Sequence, residues 1–518
     1  MSEKKGLLTS ISYVMIIMLL SRVLALVSSS MYVSVFGTED VYINIYSYAV
    51  TIPNTIFNCF GTTLSTIVIP IYASHIANKN YDGAKRFADN VITVASVFTL
   101  LLVLCGMALS FVLPKFTGFD SPESYSFAVK ALMILMPVML FYGLNYIFQG
   151  MLQSVGKYFM PAFVSAPGSI IIIVYVLLFA DKYGVMGLVV VTALGLSLQA
   201  LLLIPPLIRS GYRYKVRFDL KDDDMKSAFR MMLPVFLGAS SYQINVFYNN
   251  SMAASFDGFV TVMTYVQNLV VYMVLAFVYS VTSVLYPKLT KAAAVGDMDS
   301  YKSTLSGVLI NVWMLLLPIS AGFIAVRYEL LELIIGWGKN GAQDIQKASV
   351  IMLLYSLSVV SVGSKEIIDR AFYSLKDTKF PAINGFIIMA ANILLSLVLM
   401  PFMSGYALPL AYSLSSIVGL CVLLIMLRRK IGSFAKGCAK SFIKCTLSSV
   451  IMYCVVSVLR YILPENFGLG IALDRILVLG ILCFTGVVVY GICVIAMRVP
   501  TAVEIISKIK TKFVKGGI

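Results

Sequence analysis

Charge is scarce in this sequence. Asp, Glu, Lys and Arg make up 12% of its 518 residues, about half the share found in soluble proteins. Apolar residues make up 59% and the mean hydropathy is +0.91, so too little polar surface remains to cover a water-soluble body. Histidine is nearly absent, with His75 the single one. The eight cysteines (Cys59, Cys105, Cys421, Cys438, Cys445, Cys454, Cys483, Cys493) show no CxxC or metal-ligand spacing. Most lie inside apolar runs and read as free buried thiols. No metal site, cofactor or catalytic residue is expected. Long loops are missing as well. An enzyme such as a membrane polymerase or ligase needs an acid–base or metal constellation in a sizeable loop, and the external connections here are short and poor in His and carboxylates. A cleaved signal is disfavoured too, because the stretch from Leu7 to Gly37 is too long and lacks a small-residue cleavage site.

What the chain does have is a succession of apolar runs. A membrane helix needs about 20 mostly apolar residues. With that ruler, spans fall near 7–36, 41–75, 87–114, 126–154, 158–180, 185–208, 228–254, 259–290, 304–334, 348–374, 381–402, 406–427, 441–462 and 470–497. The expected fold is an all-α polytopic membrane protein of 14 transmembrane helices. The formal charge of +16 could suggest nucleic acid, but the basic residues sit in short gaps between spans, as topology determinants do. With the N-terminus inside, Lys115, Lys182, Arg327, Lys339, Lys347, Arg460 and Arg475 fall to the external loops and the span ends beside them, and Arg22, Lys130 and Lys365 are assigned to the spans themselves. All other Lys and Arg lie in cytoplasmic segments or at the span ends that border them. Both termini are therefore expected in the cytoplasm. The tail 501–518 spaces Val503, Ile506, Ile509 and Phe513 among lysines, a pattern suited to an amphipathic helix on an anionic inner leaflet.

Two stretches repeat at an offset of 217 residues. TTLSTIVIPIYASHIANKNYDGAKRF from Thr62 parallels YSVTSVLYPKLTKAAAVGDMDSYKST from Tyr279, with Pro70 on Pro287 and Lys85 on Lys302. A weaker pair matches Leu152–Pro161 with Phe372–Pro381. The chain thus reads as two pseudo-symmetric six-helix lobes, 1–220 and 221–435, followed by two extra helices in 436–500 and the basic tail. Paired bundles with a site between them are a common transporter plan.

SRVLALVSSSMYVSVFG (Ser21–Gly37), IPNTIFNCFGTTLSTIVIPIYA (Ile52–Ala73), LQALLLIPPLIRSGY (Leu198–Tyr212), IIGWGKN (Ile334–Asn340) and, most specifically, DRAFYSLKDTKFP (Asp369–Pro381) resemble the MurJ (MviN) family of lipid II flippases. That family lies within the multidrug/oligosaccharidyl-lipid/polysaccharide exporter superfamily. The resemblance implies a bacterial cytoplasmic-membrane transporter, not an enzyme. Its substrate would be lipid II, undecaprenyl pyrophosphate bearing a disaccharide-pentapeptide, carried from inner to outer leaflet for peptidoglycan synthesis. Membrane lipids would be further partners, a coupling ion is compatible with it, and helices 13–14 would form a groove for the lipid tail. Of the family's cavity cations, Arg22 matches one. Ser28, the Phe57–Asn58 region and Asn268 stand where other arginines are found, and Asn44 stands at an acidic position. Export of another lipid-linked oligosaccharide, or of a drug, is the alternative these departures favour.

The substrate-binding candidates follow from cost. A charge mid-membrane costs at least about 2.5–3.5 kcal/mol on insertion scales, so Arg22 needs a reason, and a guanidinium matches pyrophosphate oxygens bidentately. Lys365 is the other deep cation, with Asp369 one turn away; Lys130 reads as snorkelling to the surface. Asn54, Asn58 and Thr62 share one helical face, Ser241, Asn245 and Asn249 another, and Gln267 and Asn268 follow. Lipid would leave such amides unpaired, so these faces point into a bundle or wet cavity. Interhelical bonding without substrate is the competing reading. His75 reads as solvated.

Overall fold

A computed structural model describes residues 2–499 apart from 118, 120, 158, 376, 434–436, 465, 466 and 469. The expected tail helix at 501–518 lies outside the described residues, as do several side chains of the first helix and within 56–77, 231–239 and 280–294. Every long element among the described residues is a helix. Among the described residues ten helical stretches are long and apolar enough to cross a membrane, and one of them, Lys379–Ile431, holds two helices of 25 residues each. The chain is a multi-pass membrane protein.

Packing divides it into two compact units, Met1–Tyr265 and Val266–Ile518. The first holds α1 (Ser2–Phe36), α2 (Val41–Ala77), α3 (Tyr81–Leu109), α4 (Pro122–Leu135), α5 (Val138–Ser154), α6 (Phe159–Phe163), α7 (Ala166–Leu178), α8 (Ala180–Leu201), α9 (Ile204–Ile208) and α10 (Asp223–Ala253). It also takes most of α11 (Phe259–Gln267), which a π-helical turn (Asn268–Tyr272) continues. The second unit holds α12 (Met273–Val295), α13 (Met298–Ala325), α14 (Arg327–Ile335), α15 (Ala342–Ser356), α16 (Val359–Ser374), α17 (Lys379–Met403), α18 (Ala407–Ile431), α19 (Cys438–Ile462) and α20 (Ile471–Ala496).

Five helix starts among the described residues are set by short polar side chains that satisfy otherwise unpaired amides. The Asp40 carboxylate accepts from the N–H groups of Tyr42 (2.7 Å) and Ile43 (3.2 Å) at the head of α2. Ser121 caps α4, with Pro122 in the first turn. The sequence repeat reappears in these caps. Asn80 accepts from Gly83 N–H at 2.9 Å to start α3, and Asp297, 217 residues later, accepts from Ser300 N–H at 2.9 Å to start α13. The weaker repeat holds as well: Lys157 N–H donates to Leu152 O at 2.9 Å, and Asp377 N–H donates to Phe372 O at 3.0 Å. Each closes a helix that is broken once, after Leu135 in one copy and after Ser356 in the other.

The compact units do not follow the repeat. By the 217-residue offset α10 is the counterpart of α1, and the expected lobe boundary is 220/221. By packing, α10 belongs with the first unit, where it lies along α2. The connection between them is bound down rather than loose. Within 209–222, the Tyr212 hydroxyl and Lys215 N–H both donate to the Asp89 carboxylate (2.7 and 3.1 Å). Asn90 exchanges two bonds with Asp219 (2.6 and 2.9 Å). The Tyr212 hydroxyl titrates far above its ordinary value, because it is buried and because it is bonded to that carboxylate. Asp222 then caps α10.

The core of the first unit joins Phe87 and Val91 of α3, Ile147 and Met151 of α5, Leu207 of α9 and Met225 of α10. That of the second joins α13, α19 and α20 through Met452, Val456, Leu482 and Val494, with the Tyr490 hydroxyl donating to Met314 O at 2.8 Å. Where α7 meets α8 the backbones touch: a Cβ on Gly195 would lie 3.1 Å from Gly168 Cα. Small residues allow this approach where lipid gives helices no hydrophobic reason to associate.

Candidate functional site

Arg22 lies on α1, exposed, with no ion pair or hydrogen bond to any described residue. Its charge acts on Tyr146 of α5. Tyr146 and Tyr142, one turn apart, stack on Phe57 of α2 with centroids 6.4 and 6.2 Å away and planes within 21° and 16°. Asn54, one turn before Phe57, bonds the Tyr142 hydroxyl and donates to Val50 O at 3.0 Å. The first unit therefore gathers one unpaired guanidinium, two tyrosines and an amide along α1, α2 and α5. Sequence reasoning selected Arg22 and Asn54 and missed the tyrosines; their four-residue spacing beside Asn145 and Gln149 was the available signal.

Gly61 makes room for this wall. A Cβ there would lie 2.2 Å from the Tyr146 ring, far inside contact distance. Gly61→Ala is expected to displace the ring and lower stability by about 1–3 kcal/mol, the usual range for overpacking. In a Tyr146→Ala background the same Gly61→Ala change should cost little further stability, because the ring it collides with is gone. Thermal unfolding of the detergent-solubilised variants checks this, and an unchanged midpoint for Gly61→Ala would contradict the close approach.

Asn245 is buried in α10, where its side-chain oxygen accepts from Asn249 Nδ2 at 2.7 Å; Ser241 on the same face is buried too. Asn268 is exposed on the π-helical turn, a local geometry that concentrates at functional sites. The side chain of Asn58 lies outside the described residues.

Both ends of α2 are tied to later helices. Asn44 donates to Thr38 O and Asp40 O (2.9 Å each), while its oxygen accepts from Thr261 N–H at 3.2 Å. Ser47 and Ser30 bond Thr261 (2.9 Å) and Tyr265 (2.8 Å). At the other end His75 Nε2 meets the Asp224 carboxylate of α10 at 2.7 Å. The histidine expected to be solvated is thus a crosslink, paired with an acid 149 residues away.

In the second unit Lys365 meets Asp369 at 2.6 Å, and the neighbouring Glu366 bonds Arg370 at 2.8 Å. The Lys365 side chain is 28% exposed and that of Asp369 7%. One carboxylate oxygen of Asp369 is buried with no partner among the described residues. Asp377, just beyond α16, pairs with Lys430 of α18. Its carboxyl titrates below the usual value: partial burial opposes this, and the Lys430 ammonium with the Phe380 and Lys379 N–H groups outweighs it. Among the described residues no group of three or more His, Cys, Asp or Glu could hold a metal ion.

A family profile described as lipid II flippase MurJ matches residues 32–478. The chain belongs to the MurJ family. A probable lipid II flippase MurJ from Buchnera aphidicola is 24% identical over 500 residues, covering 95% of this chain and 97% of the relative. Its counterpart from Vibrio cholerae is 25% identical over 436 residues, covering 81% and 82%. Among solved structures, a lipid II flippase MurJ in an inward closed conformation superposes with a TM-score of 0.79 at 22% identity, over 94% of this chain and 99% of that one. An inward-facing multidrug resistance MATE transporter of the MOP superfamily gives 0.68 at 13% identity, over 80% and 95%. The all-α membrane fold is therefore that of MurJ, within an architecture MATE transporters share.

Proposed function

We propose that this protein moves lipid II, the undecaprenyl-pyrophosphate-linked peptidoglycan precursor, from the inner to the outer leaflet of the bacterial cytoplasmic membrane by alternating access. The observation that carries the reading is the match to MurJ relatives named as lipid II flippases across nearly the whole chain. The unpaired Arg22 guanidinium supplies what a pyrophosphate needs: a permanent positive charge with two parallel donors. Asn54, Asn58, Asn245 and Asn268 would add neutral donors and acceptors, and Lys365 a second cation.

In this reading 14 helices cross the membrane with both termini in the cytoplasm. Helices α1, α2, α10 and α11 line the transport path, and α19 and α20 form the lipid-tail groove. The two lobes are taken as the halves of the sequence repeat, 1–220 and 221–435, which are distinct from the packing units. The membrane potential alone is a usable driving force: an anion leaving a negative interior gains about 2.3 kcal/mol per charge per 100 mV, so a doubly charged pyrophosphate gains roughly twice that.

Depletion of the protein in its host, followed by leaflet assignment of lipid II, tests the reading. Accumulation of lipid II on the inner leaflet is expected. Unchanged distribution, with another undecaprenyl-linked glycan accumulating instead, would favour the alternative of a different exporter.

A further inference from the structure

A cavity of about 410 Å³ lies within the second unit, between α14, the end of α19 and the start of α20. In the proposed orientation this is the outer face. Arg460 of α19 pairs with Glu329 and lies over the Tyr328 ring. Arg475 of α20 pairs with Glu332 at 3.0 Å and also donates to Gly336 O at 3.0 Å. Asp474 of α20 adds a third carboxylate to the lining.

As a set of structural staples this network is incomplete at Glu329. The second carboxylate oxygen of Glu329 is buried and has no donor among the described residues, a condition that costs about 1–3 kcal/mol and more for a charged group. An incoming cationic N–H group would relieve it. The guanidiniums meanwhile remain 38% and 29% exposed, with donors left for an anion. Apolar Leu463, Ile471 and Val478 form the remaining wall, as suits a ligand arriving from the bilayer.

We propose that this cavity binds a zwitterion carrying a primary ammonium beside a phosphate or carboxylate, with the ammonium on Glu329 and Asp474 and the anion on Arg460 and Arg475. Two sources carry that chemistry: a phosphoethanolamine headgroup of the outer leaflet, or an amino-acid side chain on the peptide of the transported precursor. The second source rests on the function proposed above; the first does not.

The test uses full-length protein in detergent. Native mass spectrometry compares retained phosphatidylethanolamine with phosphatidylglycerol, and Trp337 fluorescence in a Trp313→Phe background follows titration with an alanyl-lysine dipeptide. At least one probe is expected to bind: preferential retention of phosphatidylethanolamine by about tenfold, worth ~1.4 kcal/mol, indicates the headgroup, and saturable dipeptide binding indicates the peptide. Asp474→Asn, which leaves both ion pairs in place, and Glu329→Gln should each abolish that preference without changing phosphatidylglycerol retention. Equal retention of the two lipids together with no dipeptide binding overturns the proposal, as does full selectivity in both variants. Neither result bears on lipid II leaflet assignment in the depletion experiment.

Discussion

Arg22→Ala is expected to abolish lipid II translocation while leaving membrane insertion and folded yield near wild type. Arg22 has no ion pair or hydrogen bond among the described residues, so its removal strands no partner and opens no buried cavity. Its value lies in what it offers a ligand. A charge-assisted hydrogen bond contributes about 1.5–3 kcal/mol, and a bidentate pair more, so losing both corresponds to roughly a hundredfold or greater loss in a substrate-binding step. Arg22→Lys keeps the charge and loses the planar fork, so it should rescue only in part. Complementation of a depleted host, scored beside protein abundance, separates the outcomes. Growth restored fully by the alanine variant would show that the guanidinium is dispensable.

The second large effect is an inequality between two halves of one ion pair. Removing one partner of a buried pair costs about 3–5 kcal/mol because an uncompensated charge remains. Here the halves are buried unequally, with Asp369 at 7% exposure and Lys365 at 28%. Lys365→Ala strands the more deeply buried group, which already has one oxygen without a partner. Asp369→Ala leaves an ammonium on a flexible stem that can swing toward water. Folded yield should therefore fall more for Lys365→Ala, and the double variant should recover much of it. If Lys365 also contacts substrate, the double variant stays defective in flipping despite its recovered yield. A greater yield loss from Asp369→Ala than from Lys365→Ala would refute the burial argument.

Legibility differed between local and long-range features. The membrane class, the helical content and the repeat were readable because each rests on contiguous residues: apolar runs of fixed length, and capping side chains a few positions from the amides they satisfy. Asn80 and Asp297 start equivalent helices because each places an acceptor three residues before an unpaired N–H. The intrahelical pair Lys365–Asp369 was equally readable, since residues four apart share a helix face.

Partners across the chain were decided by tertiary structure alone. Nothing in Asp223–Ala253 announces that it packs along α2, nor in His75 that its acid is Asp224, nor in Arg22 that Tyr146 lies beside it. The reason is the solvent. In water, one apolar face of a helix points to the core and betrays its partner side; in lipid the faces toward neighbouring helices and toward lipid are both largely apolar, and association turns on backbone approach and a few polar contacts. The sequence by itself thus determined the helices and their order. Which side chains meet between them, including Arg460 with Glu329 and Arg475 with Glu332 around the outer cavity, was decided only by close packing in three dimensions.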